Sequence, residues 1–197
     1  MQMTAQAWLV LDLTGSPLSL AIVTSLQFLP VMLLSLIGGA LADRFPRRRL
    51  MVITQALGAT QAIILGLLCA TGTINIWHIY ALAMTLGIIN ALDAPLRQAF
   101  VGELVPTTHL PNAIAMGSLA QNLGRIIGPA IGGVVIAAFG VATAYFLNAL
   151  TFCAMLAALA LLRTSELQPR RLANKQRLLG QVREGLSFAR RTPPVLF

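Results

Sequence analysis

The chain has 197 residues, 57% of them hydrophobic and 10% charged, with a mean hydropathy of +0.79. That leaves too little polar surface for a water-soluble globule and implies an integral membrane protein. The formal charge of +8 would suit a nucleic-acid binder, but the basic residues fall in alternate loops between apolar runs, and this placement rules out nucleic acid as the partner.

A membrane-crossing helix needs roughly 20 apolar residues. Residues 18–42, 50–70, 76–99, 112–138 and 142–162 meet that requirement and predict five complete spans. Residues 1–13 are apolar but about half a span long, without the basic start or cleavage site of a signal peptide. They read as the outer end of a first helix whose beginning is missing, so the chain is expected to be a fragment or to start at an internal methionine. Asp12-Leu13-Thr14-Gly15-Ser16-Pro17 then turns the backbone.

The predicted fold is all-α and membrane-integral over 1–163, followed by a basic cytoplasmic linker over 164–197. In that linker Leu178, Leu179, Val182, Leu186 and Ala189 recur at helical spacing opposite Lys175, Arg183 and Arg190, the pattern of an amphipathic helix on a membrane surface. Lysine and arginine are absent from the loops at 12–17, 71–75 and 139–140. The positive-inside rule therefore places the Arg44 loop, residues 101–111 and the tail in the cytoplasm.

The second span closes on Gly38-Gly39-Ala40-Leu41-Ala42-Asp43-Arg44-Phe45-Pro46-Arg47-Arg48-Arg49. Asp43 sits where the helix dipole is negative and favours cations. It is either a solvated carboxylate among headgroups or a latch gripped by an arginine or by the positive end of another helix. Helix three, with Gln55, Gly58, Gln61 and Gly66, is less informative. Trp77, His78 and Tyr80 open helix four as interface anchors.

Near the inner end of helix four, Asp93 and Arg97 are four residues apart on one face. They form a local ion pair, or serve a gate or binding role. Helix five carries Gly124, Gly128 and Gly132 every fourth residue, continued by Ala120 and Gly117 and followed by Gly133. This is a nearly bare face that another helix must approach closely. Pro129 deprives the Arg125 carbonyl of its helical partner. Arg125 lies midway along the span, where it either snorkels toward the cytoplasm or faces a watery cavity with Asp93 as counter-ion. Gln121 and Asn122 would line the same route.

Cys69 and Cys153 stand alone in apolar helices, with no metal-ligand spacing. No phosphate-cradling loop occurs, and no His/Asp/Glu cluster suggests an enzyme. No cofactor is expected, and the energy source would be an ion gradient or a partner.

The loop Gly39-Ala40-Leu41-Ala42-Asp43-Arg44…Arg47-Arg48 resembles the signature between helices two and three of the major facilitator superfamily, with Pro46 where the signature has glycine. Gly124…Gly128-Pro129…Gly132-Gly133 resembles its antiporter signature on helix five. The resemblance covers essentially the whole chain and is to the bacterial drug and siderophore exporters that include the enterobactin exporter.

It implies the amino-terminal half of a twelve-helix fold, namely the end of helix one plus helices two to six, built from inverted repeats. It also implies a secondary transporter in the bacterial inner membrane that exports small organic molecules by alternating access and proton antiport. Gly39, Asp43, Arg44, Arg47 and Arg48 would then form the cytoplasmic gate, and the helix-five glycines and Pro129 a pivot. The implied partners are substrate, protons, lipid and the missing carboxy-terminal half. An importer of the same fold and a non-transporting membrane scaffold are the alternatives.

Overall fold

The computed structural model describes residues 2–162, less the side chains of Leu36 and Asp43. The basic amphipathic stretch 164–197 lies outside the described residues. Five helical elements follow in order: α1 (Gln2–Thr14), α2 (Pro17–Arg44), α3 (Arg47–Ala70), α4 (Ile76–Leu104) and α5 (Leu110–Leu161). The last four contain stretches long and apolar enough to cross a membrane.

With 52 residues, α5 would extend about 78 Å at 1.5 Å per residue, far more than the roughly 30 Å of a bilayer core. It is two spans. The break is at Gly140, whose φ of 81° and ψ of 169° belong to a region essentially closed to residues with a Cβ. The arms 110–139 and 141–161 are thereby free to fold back on each other.

The helices outrun the apolar stretches, because a helix satisfies its own backbone and has no need to stop at the hydrocarbon boundary. Proline stops them instead. Phe45 precedes Pro46 and Val105 precedes Pro106, and both are extended, at φ −109°, ψ 158° and φ −132°, ψ 151°. Proline imposes this on the residue before it. Thus α2 runs on to Arg44, α3 begins at Arg47 rather than residue 50, and α4 continues from residue 99 to Leu104.

The most extensive interface joins α2 and α4, and two glycines set its closeness. A Cβ on Gly38 would stand 2.5 Å from the Ala91 carbonyl oxygen and 3.0 Å from Pro95 Cγ, and one on Gly87 would stand 2.5 Å from the Gln27 carbonyl oxygen and 3.0 Å from Pro30 Cγ. Each proline frees the carbonyl four residues back, which is Leu26 for Pro30 and Ala91 for Pro95. The glycine on the neighbouring helix makes room for that bend. On α3, Gly58 and Gly66 do the same for the rings of Phe152 and Phe146 on the second arm of α5.

Although short, α1 is anchored on one face, where Gln2, Ala5, Gln6, Leu9 and Val10 are buried at helical spacing. Its amides knit the bundle. Gln2 Nε2 donates to Gln61 Oε1 at 2.7 Å, Asn148 Nδ2 donates to Gln2 Oε1 at 2.7 Å, and Gln61 Nε2 donates to the Leu82 carbonyl at 3.2 Å. Such bonds hold membrane helices together where lipid supplies no hydrophobic drive between them. At the start of α4, His78 helps to cap its own helix. Asn75 Oδ1 accepts from the Trp77 and His78 amides, and His78 Nδ1 accepts from the Asn75 amide, closing a capping box.

Candidate functional site

Arginines in the first turn of α3 tie the bundle together at its basic end. Successive residues on a helix point about 100° apart, so Arg47 and Arg48 reach different neighbours. Arg47 donates from Nε to the Ala42 carbonyl at 3.2 Å, and from Nη1 to the Ala99 carbonyl at 3.0 Å and Glu103 Oε1 at 2.9 Å. Arg48 donates from Nε to the Leu159 carbonyl at 2.8 Å and from Nη2 to the Ala160 carbonyl at 3.2 Å. Four of these five acceptors are backbone carbonyls near the carboxy-terminal ends of α2, α4 and α5. There the helix dipole attracts cations, and a planar guanidinium can serve several acceptors at once. Arg44 ends α2 exposed. Gly39 has open space where a Cβ would be, so Gly38 rather than Gly39 meets α4.

About two turns deeper, Asp93 is held by three side chains. Its Oδ1 accepts from Thr54 Oγ1 and Gln55 Nε2, each at 2.8 Å, and its Oδ2 accepts from Arg97 Nη2 at 3.0 Å. The expectation that Arg125 is the counter-ion of Asp93 is corrected here: Arg97, on the same helix face, takes that place, and Arg125 is exposed on the first arm of α5. Thr54 and Gln55 went unrecognised as partners. Their signal was present as adjacent polar residues in an otherwise apolar stretch of α3.

Beside this cluster, between α4 and the first arm of α5, is a cavity of about 640 Å³ lined by Arg97, Gln98, Val101, Gly117, Ser118 and Gln121 among others. Of the two polar residues expected along this route, Gln121 lines the cavity and Asn122 is exposed without lining it. The volume falls in the range of small-molecule pockets.

The glycines divide into two kinds. Gly38, Gly58, Gly66 and Gly87 are each filled by a neighbour that a Cβ would meet at 2.5–2.8 Å, whereas Gly117, Gly124 and Gly133 meet nothing within 4 Å among the described residues. Gly128 is half-buried, Gly132 buried and Pro129 exposed. Large apolar side chains of this arm are exposed as well, with Met116, Leu119, Ile126 and Val134 all more than 60% exposed.

Over residues 1–196 the chain matches the family described as transmembrane secretion effector. It is 31% identical over 187 residues to the uncharacterized MFS-type transporter YfiS of Bacillus subtilis, covering 94% of this chain and 44% of that protein. It is 35% identical over 146 residues to the staphyloferrin A transporter of Staphylococcus aureus, covering 74% and 37%. To the multidrug efflux pump Tap of Mycolicibacterium fortuitum it is 30% identical over 192 residues, covering 94% and 47%. The chain thus spans 37–47% of the length of these curated relatives.

Proposed function

The chain belongs to the major facilitator superfamily of transporters, and from that premise we propose that it is the amino-terminal half of an exporter of small organic molecules. It works by alternating access and is driven by proton antiport across the bacterial inner membrane, with its basic loops in the cytoplasm. Drugs or siderophores are the substrate class, in keeping with the names of the multidrug pump and the staphyloferrin A transporter.

The observation that carries this reading is the contrast between filled and open glycines. Small residues in membrane helices mark close helix contacts, and at Gly117 and Gly124, seven residues apart on one helical face, a Cβ would meet nothing within 4 Å among the described residues. A second six-helix half packs there, with Gly128, Pro129 and Gly132 completing the pivot. At the basic end Gly39, Asp43 and Arg44 face that half as a gate, on a frame that Arg47 and Arg48 hold rigid. Arg97 and Gln121, with Asp93 and Arg125 nearby, lie on the cytoplasmic approach to the substrate.

Ethidium efflux from cells expressing the whole reading frame tests this. Efflux is expected to collapse with a protonophore and to fall at least tenfold in Asp43→Asn at unchanged abundance. Efflux unaffected by either treatment would contradict the mechanism.

A further inference from the structure

The buried amides of this bundle are unequally satisfied. The side-chain nitrogens of Gln2, Gln61 and Asn148 each donate to a named acceptor. Gln6 is different. It is 1% exposed, its Oε1 accepts from Gln27 Nε2 at 2.7 Å, and its own Nε2 is buried without a partner among the described residues. A buried N–H left unpaired is costly, and more so where surrounding helices and lipid keep water away. Gln27, itself 7% exposed, fixes the carboxamide by its oxygen and leaves the nitrogen as the free arm.

Gln6 also lines a cavity of about 260 Å³ between α1 and α2, together with Met3, Val23, Thr24, Gln27 and Phe28 among others. The Thr24 hydroxyl is committed to the Leu20 carbonyl at 2.9 Å. Among the described residues no ionisable side chain lines the cleft, so none of them would offset the cost of desolvating a charged ligand. Met3 and Phe28 supply apolar, polarisable walls.

We propose that this cleft is a binding subsite for a neutral, largely apolar group carrying a hydrogen-bond acceptor, such as a ketone, ester or ether oxygen, which the Gln6 carboxamide meets as donor once a side-chain rotation turns its shielded Nε2 toward the cleft. This rests on the transporter reading for what the subsite serves, namely holding one part of the transported molecule. It adds the chemical class of that part.

Benzophenone is a suitable probe, being a neutral ketone that inserts into nearby C–H bonds under ultraviolet light. Membranes from cells producing the protein are irradiated with it, and the adducts are mapped by mass spectrometry. Labelling is expected at Met3 or Phe28. A tenfold excess of fluorenone should suppress it at least fivefold, while fluorene, the hydrocarbon of matching shape, should not. Gln6→Leu is expected to lower labelling there at least fivefold and leave it unchanged on the outward faces of α3 and α5.

Equal suppression by both competitors, or undiminished labelling in Gln6→Leu, would overturn the subsite and show only exposed apolar surface. The competition on the unsubstituted protein needs no variant, so a misfolded Gln6→Leu does not remove the test. Failure here with protonophore-sensitive efflux intact refutes the subsite alone; loss of the efflux behaviour refutes the transporter reading.

Discussion

Gly38→Ala and Gly87→Ala are each expected to destabilise the chain by about 2–3 kcal/mol, in the range of an overpacked core. The new methyl group meets backbone oxygen at 2.5 Å in both cases. Backbone cannot rotate away as a side-chain tip does, so α2 and α4 must separate along their whole interface. Alanine is the better helix former by about 1 kcal/mol, so intrinsic propensity predicts the opposite sign. Gly39→Ala supplies the control: next to Gly38 and with nothing within 4 Å, it should be neutral or stabilising by up to about 1 kcal/mol. Unfolding in mixed micelles, followed by far-ultraviolet circular dichroism, separates these outcomes.

The next largest effect is expected at Arg47. The pair it makes with Glu103 is largely buried, with side chains 16% and 14% exposed. Removing one member of a buried pair leaves the other charge uncompensated, at about 3–5 kcal/mol; with this degree of exposure, Arg47→Ala is expected to cost about 2–3 kcal/mol. It also removes the bonds that Arg47 makes to the Ala42 and Ala99 carbonyls. Glu103→Gln in the Arg47→Ala background should recover about 1 kcal/mol or more of the loss, because a neutral amide is cheaper to bury than a carboxylate. A double-mutant cycle on unfolding midpoints gives that coupling; additive losses would show that the ion pair contributes little.

Much of this was legible in the chain. The spans could be read because bilayer thickness translates directly into a run of apolar residues. Their ends could not, since a helix does not end where the hydrocarbon does. The signal was in the dipeptides Phe45-Pro46 and Val105-Pro106, which act through backbone sterics rather than hydropathy.

The crossing of α2 and α4 left a trace that went unread. Pro30 precedes Gly38 by eight residues and Gly87 precedes Pro95 by eight, about 12 Å on each helix. Two helices laid side by side at that spacing can exchange proline bend for glycine notch. The register between two helices is a property of the pair, so neither segment alone points to it.

The arginines of the loop were plain as charges, but their partners were not. Leu159 and Ala160 have no polar side chain to suggest a contact, because what Arg48 binds is the unsatisfied carbonyl end of a helix. Asp93 likewise went to Arg97, Thr54 and Gln55 rather than to Arg125: an i, i+4 arginine reaches it at little conformational cost, and α3 brings two neutral donors to its other oxygen.

The central claim is that the open glycine face of α5 is a working surface between two helical halves, and Gly124→Leu tests it most directly. A lipid-facing position tolerates leucine, and a Cβ there meets nothing within 4 Å among the described residues; a face on which another half slides does not tolerate it. At unchanged abundance and unchanged unfolding midpoint, ethidium efflux by the protein from its whole reading frame should fall at least tenfold. Efflux at the unsubstituted rate would mean that this face meets only lipid.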